Sequence, residues 1–189
     1  MMCPRLVAAN RTPLAGAYAS NPTQGTVVAQ RDRRPGSGVT TMQTWELIAR
    51  EQIRDTLARY NWSGDAGRLD ELAATFSADG VLEVRGRDSL RGRPAIAAFL
   101  GGVAGGLAAA AGDPGIKPVV RHNLTNVLFT ALTPARAQVC SYFTVVTHVG
   151  LDHFGRYRDI LVPGGQTWLI KHRKVTTDWA AETSALARP

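Results

Sequence analysis

Only two cysteines, Cys3 and Cys140, occur in the 189-residue chain. They cannot build a disulfide framework and have no zinc-type spacing, so a reducing compartment, the cytoplasm, is expected. The chain has no glycine-rich phosphate loop of standard spacing and no Gly-x-Ser-x-Gly elbow. The four histidines, His122, His148, His153 and His172, include no helical i, i+4 pair, and no carboxylate–histidine cluster stands out. No metal or cofactor is therefore expected. Long apolar runs are scarce too. Residues 95–112 form an 18-residue stretch without charge, but 13 of these residues are Ala or Gly. Only Ile96, Phe99, Leu100, Val103 and Leu107 in it are large, which is weak transfer energy for a membrane span. A small-residue helix running into a flexible loop is the expectation, and no membrane association. Pro4, Arg5, Asn10, Arg11 and Pro13 interrupt the N-terminus, which does not read as a signal peptide.

What the chain does hold is ordinary for a globular protein: 44% hydrophobic and 20% charged residues, enough for one domain with a core. Lys and Arg total 22 against 15 Asp and Glu, a formal charge of +7 that invites a nucleic-acid reading. The charge is unevenly placed. Residues 1–41 carry five Arg and one Asp, or +4, whereas residues 42–189 hold 17 basic and 14 acidic groups, or +3. The first 41 residues are rich in Pro, Gly, Ser, Thr, Asn and Gln and show no apolar period, so they read as a disordered extension. They fit either a flexible tail or an upstream extension of the reading frame, with Met42 as the start. The remainder, a near-balanced domain at 42–182, gives no reason to expect nucleic acid as a partner.

Apolar residues at Trp45, Ile48, Ala49, Ile53, Leu57 and Tyr60 predict an amphipathic helix over 44–60, with Thr44 as its N-cap. Gly64 and Gly67 mark a break. Leu69, Leu72, Ala73 and Phe76 share a face of a second short helix. A turn at 77–80 leads into a strand at Val81, Leu82 and Val84, and Pro94 suits the first turn of a third helix. Beyond Pro118 the pattern becomes extended, with strands predicted at 119–129, 136–148, 154–162 and 166–177. Pro163, Gly164 and Gly165 supply a hairpin turn between the last two. Helices followed by a four-strand meander argue for an α+β fold with an antiparallel sheet bent over the helices.

Two residues stand out chemically. Strand alternation places Val120, His122, Leu124, Asn126 and Leu128 on one face, apolar apart from His122 and Asn126. A histidine there is either a satisfied core residue or a catalyst. Asp65, at the end of the first helix beside Tyr60 and Trp62, is either a turn or cap aspartate or a carboxylate at the edge of an apolar cavity. A carboxylate that accepts a hydrogen bond from one imidazole nitrogen raises the basicity of the other, which makes a general base near neutral pH. His148, His153 and His172 read as surface or rim residues.

The run YNWSGDAGRLDEL at 60–72, followed by FSADG at 76–80, resembles the first conserved block of SnoaL-like proteins, within the nuclear transport factor 2-like superfamily. GRPAIAAF at 92–99 resembles the family's third-helix entry, and RHNLTN at 121–126 its histidine strand. GRYRD at 155–159, WLI at 168–170, HRKV at 172–175 and DW at 178–179 resemble its C-terminal strands. The resemblance covers about residues 43–180. It implies a cone-shaped α+β barrel, three N-terminal helices packed on a curved antiparallel sheet with a pocket at the open end. The chain also resembles scytalone dehydratase of the same superfamily, but bile acid 7α-dehydratase and hexachlorocyclohexane dehydrochlorinase are the most useful comparisons. The resemblance implies an aspartate–histidine dyad, here Asp65 and His122, and a pocket tyrosine, here Tyr60. An arginine assists in some members, for which Arg156 and Arg158 are the candidates. Trp62, Leu124, Asn126, Phe143 and Tyr157 are candidate substrate-binding residues. The Ala/Gly segment at 101–116 departs from the family pattern near the pocket mouth.

The function so implied is a cofactor-independent lyase or isomerase of dehydratase type. Its substrate would be a small hydrophobic ring compound, and its assembly a homodimer or homotrimer. The alternatives are a polyketide-type cyclase or epoxide hydrolase on the same fold, or a non-catalytic binding or assembly module like a ring-hydroxylating dioxygenase β subunit.

Overall fold

A computed structural model describes residues 41–110, 119–148 and 150–184, with 104–110 described by their backbone alone. The extension at 1–41, with Cys3 in it, lies outside the described residues except for Thr41, and so do residues 111–116 of the Ala/Gly segment.

Helix α1 spans Thr44–Asp65 and buries Ala49, Ile53, Leu57 and Tyr60, one stripe spaced by four, four and three residues. Trp45 and Ile48, expected on that stripe, are exposed at the helix start. The cap is Gln43 rather than Thr44, which moves Glu46 to the third helical position. From there its carboxylate accepts the Gln43 backbone N–H at 2.8 Å. The helix continues five residues past Tyr60 and then stops at a Schellman motif. Gly67 has φ 70°, Arg68 N–H donates to the Ser63 carbonyl at 2.8 Å and Gly67 N–H to the Gly64 carbonyl at 3.0 Å. Asp65 is thus the last helical residue, not a turn residue beyond the helix.

Helix α2 (Leu69–Ala74) is followed at once by strand β1 (Phe76–Val84), so the expected turn at 77–80 is part of a strand. Strand β2 (Leu90–Arg91) and helix α3 (Arg93–Ala110) come next. The meander is β3 (Val120–Thr133), β4 (Arg136–Thr147), β5 (Gly150–Pro163) and β6 (Trp168–Ala180). The six strands form one sheet in the order β2-β1-β6-β5-β4-β3, antiparallel throughout except that β1 runs parallel to β6. The helices pack on one face of this curved sheet, an α+β architecture. Ile53, Leu57, Phe76, Leu82, Ile96, Val139, Leu161 and Ile170 form the core between the two layers.

Two local features decide which side chains point inward. In β3 the register moves by one residue between Thr125 and Leu128, at Asn126, whose φ is 52°. This is a β-bulge built on a residue type that tolerates the left-handed region. It corrects the alternation expected for β3. His122 and Leu124 face the helices, but beyond the bulge Val127 and Phe129 pack inward, while Asn126 and Leu128 are exposed. In β5, Gly155 lies where a Cβ would sit 2.1 Å from the Thr176 carbonyl oxygen and 2.8 Å from the Phe143 ring. Glycine lets β5 and β6 close up beneath that ring.

Candidate active site

The end of α1 and the start of β3 meet at Asp65 and His122. The Asp65 carboxylate makes two contacts: Oδ1 lies 2.5 Å from His122 Nδ1, and Oδ2 accepts the His122 backbone N–H at 2.9 Å. A carboxylate at a helix C-terminus faces the negative end of the helix dipole, a placement costing about 0.3–1 kcal/mol. The two donors from His122 offset that cost. An ionised carboxylate only accepts, so it draws the imidazole proton to Nδ1 and leaves the Nε2 lone pair available. Asp65's side chain is 11% exposed and that of His122 24%, so the acceptor is sealed while the imidazole is reachable.

Behind the pair lies an aromatic wall. Phe143 of β4 stacks on Tyr157 of β5 at 4.5 Å, and Tyr157 meets Tyr60 of α1 edge-on at 6.3 Å. Between the two tyrosines sits Arg173 of β6, its guanidinium carbon 4.1 Å from the Tyr60 ring centroid and 4.2 Å from that of Tyr157. Asp159 is directly opposite Arg173 in the β5–β6 register and binds it with two parallel hydrogen bonds of 2.9 and 2.8 Å. Both side chains are fully buried. Burial works against the Arg173 charge, but the Asp159 carboxylate outweighs it and keeps the guanidinium firmly protonated. Burial also pushes the Tyr60 phenol above its ordinary pKa, with Arg173 opposing, so Tyr60 stays a hydroxyl donor at neutral pH.

A second aspartate–histidine pair stands across β4 from the first. His153, read from the sequence as a rim residue, is buried. Its Nδ1 lies 2.6 Å from Asp152 Oδ1, which also accepts the Ser184 hydroxyl at 2.6 Å. The His153 ring meets Phe143 edge-on at 5.7 Å. Burial lowers the His153 pKa below its usual 6.5, Asp152 offsets part of this, and the His122 charge lowers it further. The fold thus favours neutral His153, while the unfolded chain protonates it near pH 6.5. Its contribution to stability is therefore complete above that pH and lost as pH falls through the lower folded value. The unfolding free energy measured with urea is expected to fall between pH 7 and pH 5.5, by at most about 1.4 kcal/mol per pH unit for one proton. His153→Gln should flatten that slope, and an unchanged slope would contradict the assignment.

The other expected residues divide. Tyr60, Phe143 and Tyr157 form the wall, and Leu124 packs against it, half-buried. Trp62 is 74% exposed, and Asn126 is exposed past the bulge, so neither joins it. Arg156 is exposed and alternates with Tyr157, which places it on the opposite face of β5, where Asp178 binds it at 2.7 Å. Arg158 shares that outer face, around a shallow depression with Arg85, Arg156, Lys174 and Thr176. The arginine that does reach the wall is Arg173. Alternation gave one clue to its partner, since Asp159 lies two residues from the inward Tyr157, but nothing in HRKV singles out Arg173. Among the described residues no group of three or more His, Cys, Asp or Glu could hold a metal ion, and no helix is long and apolar enough to cross a membrane.

Similar structures fit this architecture. Rv3472 of Mycobacterium tuberculosis, a protein of unknown function solved as an aspartate-to-asparagine variant, has a TM-score of 0.61 at 24% identity, covering 76% of this chain and 79% of that one. A nuclear transport factor 2-like protein with a cystatin-like fold from Novosphingobium aromaticivorans gives 0.59 at 25%, covering 75% and 90%. A protein of the same organism, named as a candidate scytalone dehydratase, gives 0.60 at 20%, covering 72% and 88%. No curated protein matches the chain. The SnoaL-like domain model matches residues 45–174, most of the chain, and with the helix-backed curved sheet this places the protein in the SnoaL-like family.

Proposed function

We propose that the protein is a cofactor-independent lyase or isomerase of dehydratase type, acting in the cytoplasm on a small hydrophobic ring compound. The observation that carries this reading is the Asp65–His122 pair: a sealed carboxylate on Nδ1 and a reachable imidazole. Nε2 of His122 takes a proton from a carbon next to an activating group. Tyr60, held protonated by burial, donates to the leaving oxygen or the developing enolate. The proton then leaves with hydroxide as water in an elimination, or returns to another carbon in an isomerisation. An epoxide hydrolase would need an open Asp-Arg-Asp group to activate water. The Asp159–Arg173 pair is fully buried, which favours the base-catalysed reading.

The test incubates the full chain in D₂O with a panel of cyclic ketones and β-hydroxyketones and follows the α-protons by NMR. Deuterium incorporation or loss of water at rates above buffer is expected for part of the panel. If no compound exchanges or eliminates faster than in buffer, the proposal fails.

A further inference from the structure

The residue opposite His122 on β4 is Val145, and the residue opposite Val145 on β5 is His153. The two histidines therefore occupy one row across three strands, about 9–10 Å apart at Cα from ordinary strand spacing. Both project to the helix-facing side: His122 toward Asp65 at the end of α1, His153 against the inward Phe143. Each imidazole has Nδ1 on an aspartate, and among the described residues no hydrogen bond occupies either Nε2. A bulge produces the second pair. Val146 opposes Leu151 while Val145 opposes His153, so Asp152 is the extra residue, and it turns inward beside the imidazole it holds.

With its proton on Nδ1, neutral His153 can only accept at Nε2. Its buried, aromatic setting suits an uncharged O–H donor rather than a cation. We propose that His153 Nε2 binds a ring hydroxyl of the substrate, one row across from the carbon that His122 deprotonates. The substrates are then hydroxylated ring compounds, phenols or cyclic alcohols. The reaction side of this statement rests on the reading of His122 as the base, whereas the hydroxyl contact can be measured without turnover.

The test uses 4-methylphenol, which keeps its O–H proton at neutral pH, and 4-methylanisole as probes of the full-length protein, by calorimetry. Wild type should prefer the phenol by about 10-fold or more, because an acceptor built for a hydroxyl is left unpaired by the ether. His153→Phe should remove the preference by weakening phenol binding alone, His153→Gln should restore part of it, and His122→Ala should leave it intact. In the wild type the ¹⁵N signal of His153 Nε2 should move with 4-methylphenol and not with 4-methylanisole, a readout that does not depend on a variant folding. Equal affinity for the two probes, no binding of either, or a silent His153 signal overturns the proposal. A preference lost in His122→Ala instead would assign the hydroxyl to the base, which sinks this inference and leaves the proposed reaction standing. Conversely, His122→Ala with undiminished turnover refutes the reaction without touching the binding result.

Discussion

Replacing His122 with alanine is expected to lower turnover by about 10²–10⁴-fold, the usual contribution of a positioned general base. The fold should persist, because the backbone N–H of residue 122 still binds Asp65 Oδ2, but loss of the imidazole donor to that carboxylate should lower stability by about 1–3 kcal/mol. Asp65→Asn is the sharper experiment. Its amide oxygen would take the backbone N–H, turning the amide nitrogen toward Nδ1. That nitrogen is a donor, so the imidazole proton would shift to Nε2 and the base would lose its lone pair. Turnover should fall about as far as in the alanine variant even though the side chain keeps its shape. Steady-state kinetics with circular dichroism checks both variants. Full activity in either one removes the dyad from the mechanism.

The largest effect on stability is expected at Arg173. Truncation to alanine strips the buried Asp159 carboxylate of both hydrogen bonds and takes the cation from between Tyr60 and Tyr157. Leaving a buried charge unpaired costs about 3–5 kcal/mol. Against the 5–15 kcal/mol of a typical domain, this lowers the thermal midpoint by on the order of 10 °C. Exchanging both partners, Arg173→Met with Asp159→Leu, should recover much of that loss, since no orphaned charge remains. Denaturant unfolding of the three proteins decides the matter. A loss below about 1 kcal/mol in Arg173→Ala would mean that water reaches the pair.

The helix and the strands were legible wherever the causes are local. The four-residue spacing in α1 and the alternating Val, Thr, Tyr and Phe of β4 report burial directly. What escaped depends on partners distant in sequence. Residues 77–80 look like a turn but are drawn into β1, which runs beside β6 with Phe76 opposite Ile170. Asn126 reads as inward by strict alternation, but a single left-handed residue reverses the faces as far as Phe129, and a second register shift restores them at Leu132. His153 lay just outside the expected strand, which in fact begins at Gly150 and bulges at Asp152. For the candidate site, Asp65, His122 and Tyr60 stood out from residue type and from the family blocks. Arg173 did not, because it faces Asp159 through β5–β6 register, which no short motif encodes.

The bond from the His122 amide to Asp65 joins positions 57 residues apart in the chain. It closes only when β3 has docked against the end of α1, after the loop-closure entropy of that long intervening segment has been overcome. The site is therefore absent from any state in which the N-terminal helices have formed but the meander has not. Exchange of that one amide with solvent deuterium reports when, and for how long, the site exists during folding and local opening.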